Sequence, residues 1–297
     1  EIGRLQSGEC PKEIIWRGGI DENNTLEADN YPSTLYGKGR VNPTQNLVDA
    51  FPMANGYPIT DTNSGYNAKD PYADRDPRLK AYILVNGDKI GSTDGVVNSA
   101  ADSKTADGLN KENGKSTRTG YYLRKLLRSD INLNPNATTK QKHLNARIRS
   151  TEILLDYAEA ANEAKGPKVN VGGANYSAYD VIKAIRKRAG IGEFGGDPYL
   201  EECAQNKDKM RELIRNERRL ELCFENHRFW DLRRWKAKLN EAAKGINITT
   251  DEAIGAFVYK TFDAEERKYD DHYMYYGPIP YSEILKYSNL KQNEGWK

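Results

Sequence analysis

The sequence predicts a mainly α protein: a tetratricopeptide-like helical scaffold with a large loop-rich elaboration and a short β-hairpin. Three observations predict it. Apolar residues recur at helical spacing between residues 143 and 239. Turn-rich links divide that stretch into helices whose pairing suggests tetratricopeptide-like units. Residues 1–142 are punctuated by Gly, Pro, Asn and Asp too often for long regular elements. At 297 residues the chain can bury a sizeable core. Three segments follow within one domain: 1–142, loop-rich and ligand-binding; 143–239, helical; and 240–297, a Tyr-rich segment packed on the scaffold.

Turn chemistry dominates the first 75 residues, at Arg17-Gly18-Gly19, Tyr31-Pro32, Val41-Asn42-Pro43, Ala54-Asn55-Gly56 and Thr62-Asn63-Ser64-Gly65. Glu13 to Trp16 is a short apolar run that reads as a strand or buried tether, and Asn46 to Phe51 as one turn of helix. Tyr82 to Val85, then Asn86-Gly87, then Lys89-Ile90 is a hairpin signal. Residues 93–118 are polar and Gly-rich and read as a mobile loop. From residue 143, Leu144, Ile148, Thr151, Leu155, Ala158 and Ala161 form one helical stripe, ended by Gly166-Pro167. Ser177 is the expected N-cap of a helix from Ala178 to Ala189, closed by Gly190. A link through Gly192 and Pro198 leads to a long helix ending near Lys238, with Met210, Leu213, Ile214, Leu220, Phe224 and Trp235 on its apolar side. A short helix is expected around Glu283 to Lys286.

Composition excludes several classes. A net charge of +2 gives no basic field for nucleic acid or anionic membrane. No apolar run is long enough to span a bilayer. Cys10, Cys203 and Cys223, and His143, His227 and His272, have neither disulfide-framework nor metal-ligand spacing, so no disulfide framework or metal site is expected. Cys223 reads as a buried small hydrophobe. No nucleophile elbow, phosphate loop or dinucleotide fingerprint is present.

On the long helix Glu217, Glu221, Glu225, Arg228 and Asp231 advance by four, four, three and three residues and share one side. Like charges at this spacing repel slightly, so partners must come from elsewhere. Paired carboxylates could act as a glycosidase acid and base. The preferred reading is a buried network held by Arg218, Arg228, Arg233 or Arg234, because buried charges persist only when paired. Glu152 and Glu159 read the same way.

Ile214 to Trp235 reads Ile-Arg-Asn-Glu-Arg-Arg-Leu-Glu-Leu-Cys-Phe-Glu-Asn-His-Arg-Phe-Trp-Asp-Leu-Arg-Arg-Trp. It closely resembles the signature helix of the SusD/RagB family, with Asn226 where Gly is usual. Asp76-Pro77-Arg78-Leu79, Thr119 to Lys125, Arg147 to Asn162, Ile185 to Gly190, and Pro278 to Ile284 with Asn289 to Trp296 resemble further family segments in the same order. The resemblance runs from about residue 76 to the end. It implies a nutrient-binding surface lipoprotein of Bacteroidetes. Such a protein captures an oligosaccharide at the outer membrane and hands it to a TonB-dependent transporter of the SusC type. No bond is broken. Full-length relatives carry a signal peptide, a lipid-anchored Cys and an N-terminal helical half, so this chain begins at what resembles their middle. Cys10 is not read as the anchor, because no apolar signal region precedes it; the anchor is expected outside this sequence. If the N-terminal half is absent, an exposed apolar face is expected. A peptide-importing relative and, less favoured, a glycoside hydrolase are the alternatives.

The ligand site is sought among the aromatics, since the chain holds 19 Tyr and 4 Trp against 6 Phe. Rings with a polar tip stack on sugar faces while amides reach the hydroxyls. Trp16, Tyr31, Tyr36, Asn55, Tyr57 and Tyr66 are the candidates. Tyr31, Tyr36 and Tyr57, beside Pro or Gly, are expected as exposed platforms, and Trp16 either there or in the core.

Overall fold

The computed structural model describes residues 12–193 and 195–296; Cys10 lies outside them. The architecture is helical with small two-stranded sheets. Strand β1 (Ile14–Asn23) pairs antiparallel with β6 (Gln141–Arg149), so the apolar run at Glu13 opens a longer strand. Leu144 and Ile148 therefore belong to a strand and not to the helix expected there. Their spacing of four fits both periods. The alternation His143, Leu144, Asn145, Ala146, Arg147, Ile148 is period two, and pairing with β1 decides it.

Helix α1 (Thr25–Asn30) is followed by a 3-10 turn (Ser33–Leu35) and by α2 (Gln45–Ala50), which the sequence anticipates. Helix α3 (Pro77–Tyr82) starts on Asp76, whose side chain accepts from the Arg78 backbone N–H at 2.9 Å, with Pro at the first helical position. The expected hairpin across Asn86-Gly87 does not form. β2 (Ile83–Leu84) pairs instead with β5 (Tyr122–Leu123), and β3 (Lys89–Ile90) with β4 (Gly95–Val96). All of β2 and β5 is buried, so the pairing that buries most apolar surface wins over the local turn. Residues 93–118 are anchored rather than free: Val97, Ala100 and Asp107 are buried, and the Thr117 hydroxyl oxygen accepts from the Gly120 and Tyr121 backbone at 3.0 and 3.1 Å.

Helix α4 (Ser150–Lys165) buries Thr151, Leu155, Ala158 and Ala161, the later part of the predicted stripe. Helix α5 (Ala178–Arg188) carries the expected cap at Ser177, a capping box with Asp180. Helices α6 (Pro198–Cys203) and α7 (Lys207–Glu221) complete the main core, where Leu155, Ile182, Leu200, Met210 and Ile214 pack together.

The long helix expected to run to Lys238 is in fact two. α7 stops at Glu221, Phe224 and Asn226 adopt φ of 64° and 68°, and a separate helix, α8 (Arg228–Arg234), follows. Buried cations stabilise the break. Lys125 Nζ donates to the carbonyls of Glu221 and Cys223 at 2.8 and 3.0 Å, and Arg149 Nη2 to that of Glu221 at 3.2 Å. These acceptors are the orphan groups of a helix end. Asn226 occupies the slot that is Gly in the signature, and its left-handed backbone is one that Gly and Asn adopt at least cost. Asn226→Ala is expected to lower stability by about 1–2 kcal/mol and Asn226→Gly to be near neutral, as read by thermal melts.

Beyond α8, β7 (Ala243–Asp251) and β8 (Ala256–Glu265) form a long hairpin that the sequence reading missed. Ile246 and Ile248 point into the core beside Phe51 and Tyr82. Residues 266–296 are mostly exposed and contain only α9 (Tyr281–Ile284). Large apolar side chains are exposed as well, among them Trp16, Ile153, Phe229 and Trp230 at 62%, 50%, 49% and 66%. No described helix is long and apolar enough to cross a membrane.

Candidate functional site

The signature carboxylates are brought together with cations, but mostly not those named from the sequence. Glu217 is fully buried between Arg78 Nη1 at 2.9 Å and Arg186 Nη1 at 2.8 Å. Glu221 is paired with Arg188 and with Arg78 at 3.2 Å, and Glu225 with Lys125 at 2.7 Å and Arg149 at 2.8 Å. Only Asp231 meets the expected set, Arg218 at 3.2 Å and Arg234 at 2.8 Å. Glu159 takes Arg234 and the Trp235 indole N–H at 2.6 and 2.7 Å. The short motif Asp76-Pro77-Arg78 acquires a role here: Asp76 bonds the Arg78 guanidinium at 2.7 Å and aims it at Glu217 and Glu221. This network welds α3, α4, α5 and α7 together, and Glu217 is shut off from any substrate.

Burial alone would push the carboxyls of Glu217, Glu221 and Glu225 up. The surrounding cations outweigh it: Arg78 leads for Glu217 and Glu221, and Lys125 for Glu225, and all three are held below the usual range. A depressed folded pKa contributes stability that is present above the unfolded value, about 4.5, and lost as pH falls through the folded one. The melting temperature is therefore expected to hold from pH 7 to about 5 and to drop steadily below about 4.5. A melt unchanged at pH 3 contradicts the network.

The aromatic candidates do not form one site. Tyr31 is 1% exposed, and its hydroxyl donates to the Arg128 carbonyl, so the expected exposed platform is a core residue. Tyr57 is likewise buried, donating to Glu202 at 2.6 Å with its ring 5.5 Å from that of Tyr199. In both, neighbouring Pro or Gly lets the chain turn the ring inward. Asn55 is exposed, but its amide staples its own loop, donating to the Asn63 and Ser64 carbonyls at 3.2 and 3.3 Å. Tyr66 is half-buried under the Arg75 guanidinium, 5.5 Å from the ring centroid. Trp16 is exposed on β1 and not in the core.

Tyr36 is the candidate that stands out. It is 56% exposed and has a φ of 64°. A bulky residue is rare there and persists only where its surroundings over-determine it. The turn does so: the Tyr36 N–H donates to Ser33 O at 3.0 Å and the Gly37 N–H to Pro32 O at 3.1 Å. Gly37 is required, since a Cβ there would lie 2.1 Å from the Tyr31 carbonyl. Thr34, at the centre of the turn, is anchored through its backbone N–H, which donates to buried Asp107 at 2.9 Å. The ring borders a cleft of about 150 Å³ shared with Thr34, Ser92, Thr93, Asn132 and Asn134. Sequence reasoning missed those partners because they come from the turn after β3 and the Asn-rich loop before β6. The run Asn132-Leu133-Asn134 was the available signal.

A second, larger cleft of about 530 Å³ lies between the β1–β6 ribbon and the loop after α7. Left-handed Leu126, Phe224 and Asn226 line it. Several of its charges, Lys125, Arg149 and Glu225, are already committed to the network. The Phe224 ring packs into the core.

Comparison with known proteins fits this architecture. The family model described as SusD family matches residues 12–296, and the chain belongs to that family. A SusD-like protein from Bacteroides fragilis is 28% identical with a TM-score of 0.71, covering 96% of this chain and 55% of that one. A second structure from the same organism, described as a SusD-like carbohydrate binding protein, is 24% identical with a TM-score of 0.68, covering 92% of this chain and 53% of that one. SusD-like protein P2 of Formosa agariphila is 30% identical over 146 residues, 49% of this chain and 24% of that protein. The chain thus spans little more than half the length of the solved relatives and matches about a quarter of P2.

Proposed function

We propose that this chain captures an extracellular glycan at the Tyr36 cleft, without chemistry, and delivers it to a SusC-like TonB-dependent transporter. It would do so as a lipoprotein on the outer-membrane surface. The observation that carries the reading is an exposed ring fixed in strained backbone beside a patch of hydroxyls and amides, the composition that grips a sugar face and its rim. The printed description of one Bacteroides fragilis relative as carbohydrate binding supports it. A non-catalytic role is supported by the ion pairing of the signature carboxylates: Glu217 is fully buried between Arg78 and Arg186, and Glu225, which borders the 530 Å³ cleft, is held by Lys125 and Arg149. On this reading α4–α5 and α6–α7 are tetratricopeptide-like pairs. The segments 1–142, 143–239 and 240–297 form one domain, with β7 tying the last to the rest through Ile246 N–H and Thr119 O at 2.8 Å.

Affinity electrophoresis against a glycan panel tests the proposal. Retardation by one glycan, lost on Tyr36→Ala, supports it. The 530 Å³ cleft favours a second reading, peptide import, because an extended peptide needs a deeper channel than a stacked sugar. Retardation by no glycan, with peptide binding lost on Asn145→Trp in that cleft, would select it.

A further inference from the structure

Resting on the glycan reading of the Tyr36 cleft, we infer that this site takes a single neutral pyranose ring and discriminates against uronate and sulfated sugars. Its size argues for one ring. About 150 Å³ is well below the roughly 300–1,000 Å³ of pockets that engulf a larger ligand. Its polar groups argue for neutrality. The Asn132 side-chain carbonyl is tied to the Asn134 N–H at 2.9 Å, and that of Asn134 to the Asn136 N–H at 3.0 Å. These bonds fix which side of each amide is which. They leave both Nδ2 groups as donors with no protein partner among the described residues, alongside the Ser92, Thr93 and Tyr36 hydroxyls. Such groups satisfy sugar hydroxyls without a formal charge.

Charge around the cleft points the same way. No charged side chain is among its described lining residues. Cations of neighbouring elements have carboxylate partners outside the cleft: Lys38 shares Asp29 with Arg40 at 3.0 and 3.2 Å, Lys115 meets Glu112 at 2.7 Å and Arg128 meets Asp130 at 2.5 Å. Lys89 stands on β3 opposite in facing to buried Ile90 and does not line the cleft. The acidic Asp94 follows Thr93 directly, and the buried Asp107 holds Thr34. An anionic sugar would meet no free cation in the cleft and would lose hydration for nothing.

The test titrates this chain with methyl glycosides of neutral hexoses, with methyl glycosides of uronic acids and with sulfated hexoses, followed by NMR at low and high salt. Neutral glycosides are expected to bind with Kd on the order of 1 mM, as suits one exposed ring. Their binding should be insensitive to salt, and anionic ones should bind at least tenfold more weakly. Asn132→Asp and Asn134→Asp keep the oxygen that closes each turn and replace the donor with an anionic acceptor, so each should weaken neutral binding about fivefold or more at unchanged melting temperature. Tighter, salt-sensitive binding of an anionic sugar that Tyr36→Ala abolishes overturns the neutral preference and leaves glycan capture standing. Glycan binding that survives Tyr36→Ala, or none at all, overturns the Tyr36 reading and this inference with it.

Discussion

Glu217→Ala will destabilise the protein by about 3–5 kcal/mol, the usual consequence of removing one partner from a buried ion network. The cost comes from what is left behind. Arg78 and Arg186 are 5% and 1% exposed on their side chains and would lose their shared counter-charge. In a chain of this size that is a fall in melting temperature on the order of 10 °C. Arg78→Ala should be comparably damaging, because Asp76, Glu217 and Glu221 all depend on it. The half-exposed pair of Lys207 and Glu163, 3.7 Å apart, is the control, and breaking it should cost less than about 1 kcal/mol. A Glu217→Ala protein that melts normally but has lost a hydrolytic activity would reverse the assignment, making the carboxylate a catalyst.

Tyr36→Ala will behave oppositely: near-normal stability with glycan binding weakened at least tenfold, as expected when the one aromatic face exposed in a shallow site is removed. Relief of the left-handed backbone does not come with it, since Ala is strained at φ 64° as well. The informative comparison is Tyr31→Ala, five residues away in sequence. Tyr31 fills the core beside Leu84, Ile90 and Tyr122 and backs the same cleft from within, so its loss should cost about 3–5 kcal/mol in the melt. If Tyr36→Ala melts like Tyr31→Ala, Tyr36 is packing and not platform.

The elements legible in the sequence were those whose information is local. The Ser177 cap, the Gly166 and Gly190 terminators and the stripe from Thr151 to Ala161 needed only their own neighbours. What escaped was decided at a distance. The Asn86-Gly87 turn lost to pairing between Ile83-Leu84 and Tyr122-Leu123, and the 144–148 segment became a strand because β1 lies beside it. The break after Glu221 depends on Lys125 and Arg149, remote in sequence and delivered by the fold. The network itself was inferable from three carboxylates on one side of a helix, but the identity of its cations was not. The site was legible in kind only. Tyr31 and Tyr36 flank the same short turn, and nothing local says that one ring points in and the other out; the hydrogen bonds of that turn and the close approach of Gly37 to Tyr31 determine it.

The most direct measurement is affinity-gel retardation of the unmodified chain and of Tyr36→Ala across plant, host and microbial polysaccharides, with thermal melts of both proteins alongside. The account predicts selective retardation by one glycan, absent for Tyr36→Ala, with the two melts coinciding. Equal retardation of the two proteins, or retardation of neither, would contradict glycan capture at Tyr36.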